Sequence, residues 1–181
     1  MSDKPNPPPA RWHRAAGDHR AAAREFAARI EAVPSEQWLA PAAPGKWSPA
    51  EEALHIQNVY DVLLATLNGG PGLRSRVSER RALFIQRVMF PLFLAVGRLP
   101  RGFRAPREVS PNLVEAGRLT PKNRSAEIRR LATEFEEALA AAEAAGRTIA
   151  LRHPYFGLLN GVLSLRFVAL HTRHHLRNLP R

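Results

Sequence analysis

The sequence predicts an all-α fold, a four-helix bundle with a long crossover that carries an extra apolar helix. Three observations predict it. Apolar residues recur at helical steps in four long stretches and one shorter one. Strand-like alternation of useful length is missing, as is any internal repeat. More than 50 residues separate Asn68, at the end of the second long stretch, from Ser125, at the start of the third. A connection of that length can return the chain to its starting end, so helices two and three are expected to run parallel. The chain has 181 residues, enough for one domain with a real core and too few for two comfortable ones. That domain is expected over 11–181.

Residues 1–10 are polar and proline-rich and read as a flexible tail. From Arg11 to about Val33 the pattern is helical. Ala15, Ala22, Phe26, Ile30 and Val33 recur at steps of three, four and seven, and Pro34 ends the helix. Residues 34–47 form a linker with Trp38 and Trp47, both expected as packing anchors. Ser48-Pro49-Ala50-Glu51 then announces helix two: Ser is a good N-cap, Pro suits the first helical position, and Glu completes a capping box. The helix should run to about Asn68, where Gly69-Gly70-Pro71-Gly72 stops it.

The extra helix is expected over roughly Val77 to Val96, with a kink at Pro91. It contains the greasiest segment, Val88 to Gly97, which is ten residues long. A spanning helix needs about 20 apolar residues, so this one is buried or surface-lying. Residues 98–124 hold Pro100, Pro106, Pro111 and Pro121 and read as a long irregular connection. The third bundle helix is expected from Ser125 to Gly146, and the last from about Tyr155 to Leu179.

Hydrophobic residues make up 45% and charged residues 24%, which is globular usage and argues against a disordered chain. The absence of cysteine excludes disulfides, thiolate catalysis by the protein itself and cysteine-ligated metal sites. It fits a reducing compartment. MSDKPNPPPARWH at the N-terminus has no apolar run of signal type, so a soluble cytoplasmic protein is expected. The formal net charge is +11, and only Lys4, Lys46 and Lys122 among the 27 basic residues are lysines. An arginine excess fits a polyanion partner. It also fits the codon usage of a genome rich in G and C, which the many alanines and 16 prolines favour. Without a docking motif, nucleic-acid binding is the weaker expectation. The basic run Arg98, Arg101, Arg104 and Arg107 suits either an anionic cosubstrate or a solvated loop.

The chemistry points to histidine. Three of the seven histidines fall in His171-Thr172-Arg173-His174-His175. On a helix, His171 and His175 stand one turn apart and can aim both imidazoles at one point, as metal-binding His pairs do. A cluster near a helix C-terminus also suits a solvated end, where imidazolium complements the dipole. The helical wheel favours the first reading. Arg166, Arg173 and Arg177 fall in one arc, and Ser164, Val168, His171 and His175 lie opposite. Two neighbouring buried imidazoles do not easily satisfy each other, and a shared metal resolves the conflict. On helix two, His55 leans to the same side as Glu52, Ile56, Val59 and Leu63. Alone it would read as a core histidine satisfied by a carbonyl or a water. With the other two inward, a three-His site over His55, His171 and His175 is expected. Three imidazoles leave coordination positions open, a catalytic arrangement rather than a closed structural one. Imidazole suits zinc, nickel, iron and copper. Glu52, one turn before His55, is a candidate catalytic residue. It can accept a hydrogen bond from a ligand histidine or act as general base, and it also fits a wet carboxylate in a first helical turn.

The segments GKWSPAEEALHI around His55 and HPYFGLLNGVLSLRFVALHTRHHLRNL at the end resemble the DinB-like superfamily, metal-binding four-helix bundles. The resemblance spans about Trp12 to Leu179. It implies an up-down-down-up bundle, often dimeric, in which His55 follows a Trp-Ser-Pro opening as one ligand and the His171/His175 pair supplies the others. It also implies a divalent transition metal such as zinc, nickel or iron. In some members that metal activates a low-molecular-weight thiol for transfer or isomerisation. The expected function is a metal-dependent enzyme on a small-molecule substrate, either a thiol-dependent S-transferase or a hydrolase. The alternative is a non-catalytic metal-binding or dimerising scaffold.

Overall fold

The computed structural model describes residues 10–100 and 104–180. The expected tail lies outside the described residues except for Ala10, which opens the first helix, α1 (Ala10–Glu31). Its Ala15, Ala22, Phe26 and Ile30 are buried in one stripe. Helix α2 (Pro49–Leu67) begins at the Ser48 capping box, in which the Ser48 hydroxyl accepts from Glu51 N–H and the Glu51 carboxylate accepts from Ser48 N–H. Helix α6 (Pro121–Ala144) starts four residues ahead of Ser125, because Thr120-Pro121 supplies the N-cap and first position.

The crossover between α2 and α6 carries the extra helix in two pieces, α3 (Glu79–Phe84) and α4 (Phe90–Val96). One wide turn over Ile85–Met89 joins them, with Phe90 N–H donating to the Ile85 carbonyl five residues back. Proline cannot donate into an α-helical ladder, and a wide turn just ahead of Pro91 absorbs the irregularity. A single 3₁₀ turn over Arg107–Val109 and the short helix α5 (Leu113–Ala116) complete the crossover.

The last helix, α7 (Gly161–Leu176), begins later than expected, at an Asn160 N-cap that accepts from Leu163 N–H. The preceding segment forms instead a small antiparallel hairpin of β1 (Leu151–His153) and β2 (Gly157–Leu159), with Leu151 opposite Leu159. Gly157 takes a φ of 72°, which the tight turn requires and a side chain would resist.

Cross-helix pairs fix the directions. A Cβ at Gly161 would stand 2.8 Å from the Trp12 ring, Arg173 bonds Asp18 and Arg29 bonds the Pro180 carbonyl, so α1 and α7 are parallel. Ser125 bonds the Ala27 carbonyl and Glu136 pairs with Arg20, so α6 opposes α1. Arg124 bonds Gln57 and Arg147 bonds the Leu67 carbonyl, which makes α2 and α6 parallel. The bundle is therefore up-down-down-up. Its core is filled by Trp12, Phe26, Ile30, Leu54, Tyr60 and Phe135. The extra helix lies on the surface. Phe90 anchors it inward and Arg177 clasps the Gly97 carbonyl at 2.6 Å. Phe84, Val88, Leu92 and Val96, four residues apart, are each more than half exposed.

Candidate metal centre

Two helix faces and one loop build the site. α2 presents Glu52 and His55, and α7 presents His171 and His175 from the opposite wall. Both faces are inward because Ile56, Leu165 and Val168 beside them are core residues. His55 and His175 are themselves buried. The three rings converge through Nε2. His171 Nε2 lies 3.3 Å from His55 Nε2 and 3.1 Å from His175 Nε2. One ligating atom from each ring lies within 4.8 Å of the other two, an arrangement that could hold a metal ion.

The outer nitrogens show which lone pairs are free. His55 Nδ1–H donates to the Val109 carbonyl at 2.7 Å, and His175 Nδ1–H to Glu52 Oε2 at 2.5 Å. Both rings therefore turn bare Nε2 lone pairs toward His171. A single proton on His171 Nε2 serves only one of them, and leaves its own buried Nδ1, which has no hydrogen-bond partner among the described residues, an orphaned acceptor. A cation among the three Nε2 atoms removes the conflict. Two nitrogens bound at about 2.1 Å to one ion stand about 3.0–3.4 Å apart, so the observed spacing suits such a group. Burial, first, and then the neighbouring imidazoles hold His171 and His175 well below the ordinary histidine value, and burial lowers His55 as well. The rings are neutral near pH 7, the state in which imidazole can bind a metal.

Both oxygens of Glu52 are engaged. Oε2 accepts from His175, and Oε1 accepts from the Asn178 side-chain amide at 2.9 Å. Burial pushes the carboxyl up to about 7. A cation at the histidines would favour the carboxylate and strengthen the His175 hydrogen bond. Trp47 lies over the site, stacked on His175 with centroids 6.0 Å apart and 5.0 Å from His55. Phe167 stacks on His171 at 5.4 Å.

The imidazoles form part of the wall of a cavity of about 380 Å³, whose other sides include Val59, Leu63, Leu99 and Phe156. The size is that of a small-molecule site. A model of the DinB superfamily matches residues 18–179. The chain belongs to the DinB superfamily. Neither a comparison with curated proteins nor one with solved structures finds a match.

In this DinB-superfamily chain, the sequence-predicted His55, His171 and His175 come together, with Glu52 beside them. His13 is exposed, and buried His19 shares a hydrogen bond with the Tyr60 hydroxyl at 2.9 Å, away from the site. Trp38 is the expected packing anchor, its indole N–H donating to the Leu119 carbonyl. Trp47 is not; it is half-buried and covers the imidazoles. Sequence reasoning missed Val109, Asn178 and His153. His153 sits in the cavity wall against Phe167, and its Nδ1 accepts from the backbone N–H groups of Tyr155 and Phe156. Asn178 stands three residues past His175 on the continuing turn, a spacing that signals a shared face. A carbonyl acceptor such as Val109 leaves no side-chain signature. Of the basic run, Arg104 lines the cavity and Arg101 lies outside the described residues. Among the described residues no helix is long and apolar enough to cross a membrane.

Proposed function

We propose that this chain is a metal-dependent enzyme acting on a small molecule in the cytoplasm. The observation that supports it best is the convergence of three neutral imidazole nitrogens on the wall of an apolar cavity. His55, His171 and His175 would hold one divalent transition ion, with zinc, nickel and iron all suited to imidazole. Such an ion, when bound, acidifies a coordinated water or thiol. The protein contributes orientation and exclusion of water. The Val109 carbonyl fixes the His55 tautomer and Glu52 fixes that of His175. Glu52 thus acts as a positioning residue: with Asn178 on its second oxygen, neither oxygen is idle for a base role. Trp47 and Phe167 cover imidazole faces and limit the approach of water.

Two reactions suit this arrangement, transfer of a low-molecular-weight thiol to an electrophile and hydrolysis. A transferred thiol must come from a cosubstrate, since the chain has no cysteine. Elemental analysis of purified protein is expected to find one divalent ion per chain and to lose it in His171→Ala. Equal metal content in both would remove the basis of the reading. Conjugation of electrophiles to thiols, with and without metal, then separates the enzyme from a non-catalytic metal-binding scaffold.

A further inference from the structure

The cavity wall carries two kinds of polar group. One is the imidazoles. The other is cationic: Lys46, Arg104 and Arg152 line it as well, all exposed. Among the described residues that line this cavity there is no Asp or Glu, although the chain carries 16. None of the three cations has a carboxylate within ion-pair distance among the described residues. Each therefore offers an anion a positive charge that no such carboxylate neutralises.

The cationic part of the wall is tied together by backbone. Arg76 N–H donates to the Pro154 carbonyl at 2.8 Å, and its guanidinium reaches the Arg104 carbonyl and the Tyr155 hydroxyl, each at 3.3 Å. That one residue joins the segment after α2, the crossover loop and the hairpin turn. The loop that carries Arg104 and the hairpin that carries Arg152 are thereby held together, and both residues line the same cavity, with Arg76 adding a positive charge beside them. Much of the remaining wall is aliphatic and aromatic, including Leu63, Leu73, Leu99 and Phe156.

We infer that the cavity selects an amphipathic anion, with an acidic group at Arg104 and Arg152, an apolar body along the walls, and the reacting group at the histidines. The inference rests on the reading of this cavity as a substrate site and names its substrate class. A carboxylate, phosphate or sulfonate satisfies the guanidinium fork equally well. A neutral molecule of the same shape gains only the apolar contacts. An amine is repelled by the same cations.

The test uses decane-1-sulfonate, decan-1-ol and decylamine, each kept below its solubility limit or micellar concentration, titrated calorimetrically into the full-length protein. A sulfonate is chosen because it is a poor metal ligand. The sulfonate is expected to bind one per chain and at least about tenfold more tightly than the alcohol, a difference of about 1.4 kcal/mol. The amine should bind more weakly than both. Arg104→Ala/Arg152→Ala should abolish the preference and leave the alcohol within about twofold. Arg80→Ala/Arg87→Ala, on the surface helix, should leave every affinity unchanged. Equal binding of sulfonate and alcohol by the wild type overturns the inference. So does a loss of sulfonate binding in the Arg80/Arg87 variant equal to that in the Arg104/Arg152 variant. Titrations run with and without added zinc keep the two readings separate. If the protein takes up no metal yet retains the sulfonate preference, the catalytic reading fails and the anion site stands.

Discussion

At the residue scale, the imidazoles divide by what their Nδ1 atoms do. In His55 and His175 Nδ1 donates, which frees Nε2 for a ligand. In His153 Nδ1 accepts from two backbone N–H groups, so the ring must be neutral with its proton on Nε2. Burial pushes His153 from the ordinary 6.5 down to about 3. Between those values the unfolded chain binds a proton that the folded ring refuses, so stability falls as the pH drops through this window and is unaffected by this ring above it. The slope from this one residue is up to about 1.4 kcal/mol per pH unit. Denaturant melts at pH 6, 5 and 4 should show His153→Asn, which keeps an acceptor near the Nδ1 position, losing a slope of that size. An unchanged slope would mean that the ring titrates normally. The convergence of the three histidines was legible from the i, i+4 spacing and the wheel, since both follow from helix geometry alone. His153 was not, because its neutral state is set by a hairpin turn that three-residue strands do not announce.

At the element scale, the site depends on where α2 begins. The Ser48 capping box fixes the first turn, and Glu52 and His55 follow one and two turns later on the inward face. Ser48→Ala removes a buried cap and should cost about 1 kcal/mol. For a chain of this size that lowers the midpoint of thermal unfolding by about 2–4 °C, measurable by circular dichroism. No change would show that Pro49 and the core contacts of α2 set the helix start without the cap. This start was legible because Ser-Pro-x-Glu states a local hydrogen-bond pattern. The start of α7 was not: Tyr155 to Leu159 is apolar enough to continue a helical stripe, and only Asn160 and the positive φ of Gly157 show that the chain turns back first. The π turn before Pro91 was foreseen only as a kink, since sequence gives the lost donor but not the way the ladder reroutes.

At the scale of the whole molecule, the parallel course of α2 and α6 was readable from one connection length and the up-down-down-up order was implied by the family resemblance, and cross-helix pairs bear out both. The surface position of the extra helix was one of two readings left open, because hydrophobicity alone does not say which face finds a neighbour. Its Phe84–Val88–Leu92–Val96 stripe has the length and apolar character of an association face. We propose that a second copy of the chain covers it. Light scattering should then give twice the 20.1 kDa chain mass, falling to the monomer in Val88→Glu/Leu92→Glu. A wild-type monomer at micromolar concentration would rule the pairing out. The three tryptophans divide the same molecule optically. Trp12 and Trp38 are sealed in the core, while Trp47 is only half-buried, over two imidazoles. The chain therefore carries its own fluorometer: two indoles report whether the bundle is intact, and the third, emitting to the red, is positioned for quenching by a paramagnetic guest such as nickel or copper and not by zinc.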